Sequence, residues 1–119
     1  MYEMSITYKD YNEVERTETF RFNFNKTEIA TLEYGSKESL TKKLQRIIDS
    51  KDNVEIMETF KKLIQDSYGV KSEDGKRFIK SKELTEAFTQ TEAYVEIFMK
   101  LANDSEAAAL FVNGIIPQS

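Results

Sequence analysis

Few of the side chains that usually carry out catalysis are present in this sequence. Its 119 residues include no cysteine and no histidine. Their absence excludes disulfides, thiolate nucleophiles, imidazole bases and Zn²⁺ sites of the Cys/His type. Because thiolate nucleophiles and imidazole bases are missing, we expect a protein that is not an enzyme and that carries no cofactor.

Carboxylates are the remaining candidates for chemistry, and Glu73 with Asp74 is the pair most easily read as a metal or acid/base site. A Ca²⁺ loop needs oxygen ligands at alternate positions, a glycine and a later bidentate glutamate, and this spacing is missing. Glu73 and Asp74 directly precede Gly75, in a dipeptide pattern typical of turns. We therefore interpret them as turn residues and expect no metal site.

Basic residues offer a second kind of site, for phosphates or nucleic acid. Phosphate-binding loops place several glycines before a helix, whereas Gly75 stands alone and precedes a predicted strand. The net charge is −4 and the pI is near 5.0, which is unusual for a protein that binds nucleic acid. One group of basic residues is interrupted by acidic ones, so we interpret it as a solvated helix face and predict no nucleic-acid partner. This group consists of Lys37, Lys42, Lys43, Arg46 and Lys51.

The composition favours a globular fold. Hydrophobic residues make up 39% of the chain, with eight Phe and six Tyr, so aromatic side chains must supply much of the core. This length predicts one domain over residues 1–119. No secretory signal is recognisable at the N-terminus, and no apolar run approaches the roughly 20 residues of a membrane helix. We expect a cytoplasmic protein without a membrane partner.

The first 25 residues predict an antiparallel β-hairpin. Residues 2–9 alternate between apolar and polar side chains, and Phe20, Phe22 and Phe24 share one face of the next run. Turn-prone residues at 10–13 separate the two runs. A two-stranded hairpin is marginal in water by itself, so its Phe face must lie on helices, and its strand edges stay open unless another strand joins them.

Residues 26–114 predict five to six helices, which makes the fold mainly α within an α+β class. Capping residues place the helix starts at Asn25, Ser36 or Ser39, Asp52, Ser81, Thr89, and Asn103 or Asp104. The third helix should bury Met57 and end in a glycine C-cap at Gly69, with Val70 making the accompanying apolar contact. A second short hairpin is predicted near residues 70–79.

The last predicted helix, residues 105–113, should bury Ala107, Leu110 and Phe111 and end at Gly114. Residues 115–119 then form a C-terminal tail.

The helix over residues 91–102 is apolar almost all the way round. Glu92, Glu96 and Lys100 recur every four residues and therefore form one polar stripe. The remaining circumference must be covered either by this chain or by another one. Because the hairpin and the neighbouring helices supply enough apolar side chains, we predict that this helix is the central pillar of the core.

Apolar residues outside the predicted core indicate association with other proteins. Phe78 and Ile79 lie beside a charged turn, and Ile115 and Ile116 follow the last predicted helix. Apolar groups bordered by charge are typical of partner surfaces. We therefore predict that these four residues bind a partner, and that the chain associates with itself through its strand edges or its apolar tail.

Three segments resemble the small tail assembly chaperones of long-tailed bacteriophages and prophages. They are SYGVKSEDGKRFI at 67–79, FTQTEAY at 88–94 and FVNGIIP at 111–117. The N-terminal hairpin with its Phe run is similar to theirs as well, so the resemblance covers most of the chain.

The resemblance implies a non-enzymatic protein of the host cytoplasm. Such a protein binds the helical tape measure protein, keeps it soluble and helps recruit the major tail protein as the tail tube polymerises. An acidic helical adaptor or regulatory protein that binds another folded phage or host protein is the alternative, followed by a small nucleic-acid-binding protein.

Overall fold

The computed structural model describes residues 1–117, and that range contains four strands and six helices, in the order of two strands and three helices, twice over. Their bounds are β1 Tyr2–Lys9, β2 Glu15–Phe22, α1 Lys26–Glu33, α2 Leu40–Ser50, α3 Asn53–Ser67, β3 Tyr68–Lys71, β4 Phe78–Ile79, α4 Lys82–Thr89, α5 Glu92–Asn103 and α6 Ser105–Ile115. The predicted α+β class, with an N-terminal hairpin, a helical part and a second short hairpin, is confirmed. Residues 118 and 119 of the predicted tail lie outside the described residues.

The first hairpin closes through a turn built around Asp10. The Asp10 N–H donates to the Val14 carbonyl oxygen at 3.0 Å, and Glu13 takes a left-handed conformation with φ of 61°. The Asp10 carboxylate accepts backbone hydrogen bonds from Asn12 and Val14 and one from Arg16 Nε at 2.6 Å. The Arg16 hydrogen bond, helped by the backbone donors, lowers the pKa of Asp10. This one side chain therefore fixes the turn and its register.

The two hairpins join into one antiparallel sheet with the order β1-β2-β3-β4. The joint is short, since β2 pairs with β3 only at Arg21↔Gly69 and Phe22↔Tyr68. A hydrogen bond from Asn23 N to Ser67 O, 2.8 Å long, continues it. The second hairpin thus covers only the end of one edge of the first hairpin, at Arg21 and Phe22, and β1 is the outer strand on the other side.

Gly69 lies in strand β3, so the predicted glycine C-cap is wrong. Helix α3 ends at Ser67, Tyr68 is already extended, and Val70 is exposed rather than packed on the helix end. A Cβ on Gly69 would lie 2.6 Å from the Phe78 ring. Glycine is needed here because the ring of the neighbouring strand packs against the bare backbone.

The helix starts largely follow the predicted caps. Asn25 and Glu28 form a reciprocal capping box at α1. Side chains of the predicted residues also cap α2, α3, α4 and α6, at Ser39, Asp52, Ser81 and Asp104. Helix α5 differs, since its N-cap is Thr91, whose Oγ1 accepts from Tyr94 N at 3.2 Å, and not the predicted Thr89.

The core lies between one face of the sheet and the helices. Its largest fully buried side chains include Phe22 of β2, Phe60 of α3 and Phe111 of α6. The Phe22 and Phe111 rings meet edge to face with centroids 5.3 Å apart, a favourable aromatic geometry. Tyr68 stacks on Phe88 of α4 at 4.1 Å. The predicted Phe face of the hairpin therefore does pack on helices.

Helix α6 buries Ala108, Phe111, Val112 and Ile115. The predicted burial of Leu110 is wrong, because its side chain lies on the opposite side of the helix and is 61% exposed. The helix also continues through Gly114, which packs directly against Tyr2 of β1. A side chain at position 114 would collide with the tyrosine, so this glycine permits close packing and does not end the helix.

Candidate partner-binding surface

Helix α5 has two apolar sides with different surroundings. Ala93, Ile97 and Leu101 lie on the inner side and are buried. On the outer side Val95 is 43% exposed and Met99 is 50% exposed, although the two are one turn apart and face the same way. The prediction that this chain covers the whole apolar circumference of the helix is therefore wrong for its outer side.

Helix α3 runs antiparallel beside α5. Gln65 Nε2 donates to the Tyr94 hydroxyl at 3.2 Å near the start of α5. At the other end Ile56 of α3 lines a cleft of about 450 Å³ together with Leu101 and Ala102. The two helices therefore lie close together at both ends.

Two apolar residues on this flank of α3 are exposed. Met57, two turns before Gln65, is 42% exposed, and Val54 is exposed as well. The predicted burial of Met57 is wrong. We use the name α3–α5 strip for the surface formed by Val54, Met57, Val95, Met99 and the half-buried Phe98.

Carboxylates border the strip on the side of the hairpin turn. Glu92 and Glu96 of α5 line a cleft of about 550 Å³ together with three carboxylates of the hairpin, Asp10, Glu13 and Glu15, and with the basic residue Lys9. Glu96 and Met99 are three residues apart on one helix and are therefore neighbours. A partner that covers the strip meets negative charge at its border, which favours a partner with basic residues next to its apolar ones.

The hairpin turn is tied to the beginning of α5. The neighbouring Glu92 carboxylate raises the pKa of the Tyr11 hydroxyl, chiefly by accepting its proton in a hydrogen bond. The tyrosine ring itself is largely exposed. The acidic border is therefore built from two elements, the hairpin turn and α5, rather than from one loop.

The structure places the predicted residues Phe78 and Ile79 in β4, where both are half-buried. The Phe78 ring packs on Gly69, and Lys80 Nζ lies 6.0 Å from its centroid. Both side chains keep some exposed surface. Much of the Phe78 ring is nevertheless used to join β4 to β3.

Ile115 lies in the last turn of α6 and is 0% exposed, so the expectation that it belongs to an apolar tail beyond the helix is wrong. Its carbonyl oxygen accepts from Phe24 N at 2.9 Å. Ile116 is half-buried against the core. Lys80 directly follows β4, and its Nζ lies 4.8 Å from the centroid of the Phe24 ring. The ends of β4 and α6 therefore both contact Phe24.

Sequence reasoning missed Val95 and Met99 as surface residues, although a signal was present. A helix that packs against the rest of a domain usually has an apolar arc of somewhat more than 100°. The apolar residues of α5 extend over nearly the whole circumference outside the stripe of Glu92, Glu96 and Lys100. A small domain has too few neighbouring elements to cover such an arc.

Within residues 1–117, no group of three or more Asp and Glu side chains is arranged to hold a metal ion. None of the helices in this range is long and apolar enough to cross a membrane.

A protein-family model described as "Phage tail assembly chaperone" matches residues 1–119. No curated protein and no solved structure matches the chain.

Proposed function

Since the chain belongs to the phage tail assembly chaperone family, we propose that it binds the tape measure protein in the host cytoplasm and keeps that protein soluble. It would thereby aid polymerisation of the tail tube, with the major tail protein as a further partner. The observation that carries this proposal is the exposed α3–α5 strip with its acidic border.

The strip has the chemistry that suits a helical partner. An amphipathic helix presents anchors at positions i, i+3, i+4 and i+7, and it binds by laying them on an apolar surface. Val95 and Met99 are one turn apart on α5, and α3 adds Met57 on the neighbouring flank. Apolar side chains exposed in this way attract helices that would otherwise aggregate.

Modest affinity at each site is sufficient for this role. A long rod offers many similar segments, and linked sites multiply weak affinities into a tight complex. Several copies of the chain would then lie side by side along one tape measure protein. The acidic border would favour segments of the rod that carry Lys or Arg next to their apolar residues.

Co-expression with the tape measure protein of the same phage tests the proposal. We expect the tape measure protein to become soluble and to co-purify with the wild-type chain. If it remains insoluble, or is soluble without binding, the proposed function is overturned. A chain that instead captures a different folded phage protein would support the adaptor alternative.

A pair of aspartate substitutions tests the surface separately. Met99→Asp introduces a charge into the strip, whereas Tyr34→Asp introduces the same charge at a residue that is 92% exposed and lies outside it. Because burial of an unpaired charge is costly, we expect Met99→Asp to weaken binding by about tenfold or more. Tyr34→Asp should bind like the wild type. Equal binding by both variants would show that the strip is not the contact.

A further inference from the structure

Strand β1 is the outer strand of the sheet, and its hydrogen-bonding pattern shows which backbone groups face outward. Asp10 N donates to Val14 O, which places Asp10 and Val14 at a hydrogen-bonded position of the ladder, although Val14 N donates in return to the Asp10 carboxylate. Such pairs alternate along an antiparallel ladder, so the even-numbered residues of β1 are the ones that bond to β2. The N–H and C=O groups that face away from β2 therefore belong to Glu3, Ser5, Thr7 and Lys9.

Side-chain geometry supports this assignment. Thr7 Oγ1 and Thr17 Oγ1 are 2.8 Å apart, as expected for residues of a non-hydrogen-bonded pair, whose side chains approach more closely. On the far side of β2, Asn23 N donates to Ser67 O, which again directs odd-numbered residues of β2 away from β1. The β1–β2 ladder and the β2–β3 ladder therefore give the same assignment of inward-facing and outward-facing backbone groups.

The outer edge of β1 is long and regular. The strand spans Tyr2–Lys9 without a proline, and it pairs with β2 at every residue in one continuous register. Glu3, Ser5, Thr7 and Lys9 are all exposed. Proteins usually protect such an edge with a short strand, a bulge, a proline or charged side chains. Here the edge carries one acidic residue near its beginning and one basic residue at its end.

We propose that two copies of this chain pair through their β1 edges, antiparallel, in the register that places Glu3 of each copy opposite Lys9 of the other. A second copy of the chain therefore pairs with the β1 edge. The two copies are related by a twofold axis that passes between their Ile6 residues. Ser5 of each copy then lies opposite Thr7 of the other. Every outward N–H and C=O of the four edge residues finds a partner in this register, and one sheet runs through both copies.

Charge complementarity selects this register. Moving the strands by two residues in one direction places Glu3 opposite Thr7, and in the other direction opposite Tyr11. Parallel pairing in register places Glu3 beside Glu3, and like charges in adjacent strands destabilise a sheet. Glu3 already accepts from Arg21 Nε at 2.8 Å, yet its side chain remains 54% exposed and can also meet a lysine from the second copy.

The β1 edge and the α3–α5 strip share no residue, although Thr7 and Lys9 of the edge also line the cleft at the acidic border of the strip. The two inferences therefore need separate tests. The test is the oligomeric state of the purified chain alone, measured by sedimentation equilibrium over a concentration series into the millimolar range. We expect a monomer–dimer equilibrium. A monomer at every concentration overturns the proposal, whatever the result with the tape measure protein.

Ser5→Pro tests the edge itself. Proline removes the outward N–H of Ser5 without removing a hydrogen bond to β2, and proline is tolerated on edge strands. We expect dimerisation to be lost, while the circular dichroism spectrum and binding of the tape measure protein remain. A dimer as tight as that of the wild type would place the interface elsewhere and overturn the proposal.

A charge exchange tests the register. Glu3→Lys alone and Lys9→Glu alone each create two like-charge contacts across the twofold axis, and each should weaken the dimer by about tenfold. The double variant Glu3→Lys/Lys9→Glu restores opposite charges and should recover most of the affinity. Thermal melting of each variant shows whether loss of the Glu3–Arg21 contact has unfolded the chain. Failure of the double variant to dimerise better than the single ones, with folding intact, overturns this register.

Discussion

The two sides of α5 carry side chains of the same chemical class, but the fold buries one side and exposes the other. Ile97 on the inner side is fully buried, whereas Met99, two residues later, is half exposed. Exposed apolar residues give up the free energy that burial would supply, about 25 cal/mol for each Å². Grouped residues of this kind mark an interaction surface in a soluble protein. The difference separates what α5 does for folding from what it offers to a partner.

The largest loss of stability is expected from truncating a side chain on the inner side of α5. Ile97→Ala removes a fully buried side chain between α5 and its neighbours and should lower the free energy of unfolding by about 2–5 kcal/mol. Met99→Ala should change it by less than about 1 kcal/mol, because half of that side chain is already in water. Urea denaturation monitored by circular dichroism measures both. Equal losses in the free energy of unfolding would mean that the inner and outer sides of α5 contribute equally to stability.

Local patterns in the sequence predicted most elements of the fold. Alternation identified β1 and β2, and the polar residues Asn25, Asp52, Ser81 and Asp104 marked helix starts because each can accept from a free backbone N–H. These signals extend over a few residues. They depend on the local backbone and not on the rest of the chain.

Features that depend on distant residues were missed. The pairing of Arg21 with Gly69 joins segments that are far apart in sequence, and only the nearby Phe78 ring explains why Gly69 is a glycine. The exposure of Met99 and Leu110 depends on which neighbours are absent, which an apolar pattern cannot show. Ile115 was misplaced for a related reason, because Gly114 packs against Tyr2 and lets α6 continue.

A smaller loss of stability is expected from removing the N-cap of α5. Thr91 Oγ1 accepts from Tyr94 N, so Thr91→Ala should lower the free energy of unfolding by about 1 kcal/mol. Thr89→Ala is the matched control, because its hydroxyl bonds to Glu86 O within α4 instead of capping α5. The ratio of the two losses, measured by thermal melting, distinguishes the observed cap from the one expected at Thr89. Equal losses would contradict the assignment.

Tyr94 lies at the boundary between the buried and exposed sides. Its hydroxyl accepts from Gln65 Nε2 and links α5 to α3 at the end of the α3–α5 strip. Tyr94→Phe keeps the ring and removes this bond, so we expect a loss of about 0.5–1 kcal/mol, in the lower part of the range for one hydrogen bond because the site is half-buried. Gln65→Ala should cause a similar loss, and the double variant should lose little more than either single one. If the two losses of unfolding free energy add in the double variant, Tyr94 and Gln65 do not interact energetically.

The smallest change in stability, and the sharpest separation of the two sides, is expected for Met99→Gln. Both side chains are unbranched and have similar helix propensities, so the free energy of unfolding should stay within about 0.5 kcal/mol of the wild-type value. Binding should nevertheless weaken, because the amide of glutamine must lose its water when a partner covers the strip. The measurement is the amount of tape measure protein that co-purifies with each variant at matched expression. If Met99→Gln binds as well as the wild type while Ile97→Ala is the variant that loses binding, then partner binding depends on the folded core, and the outer side of α5 is not its contact.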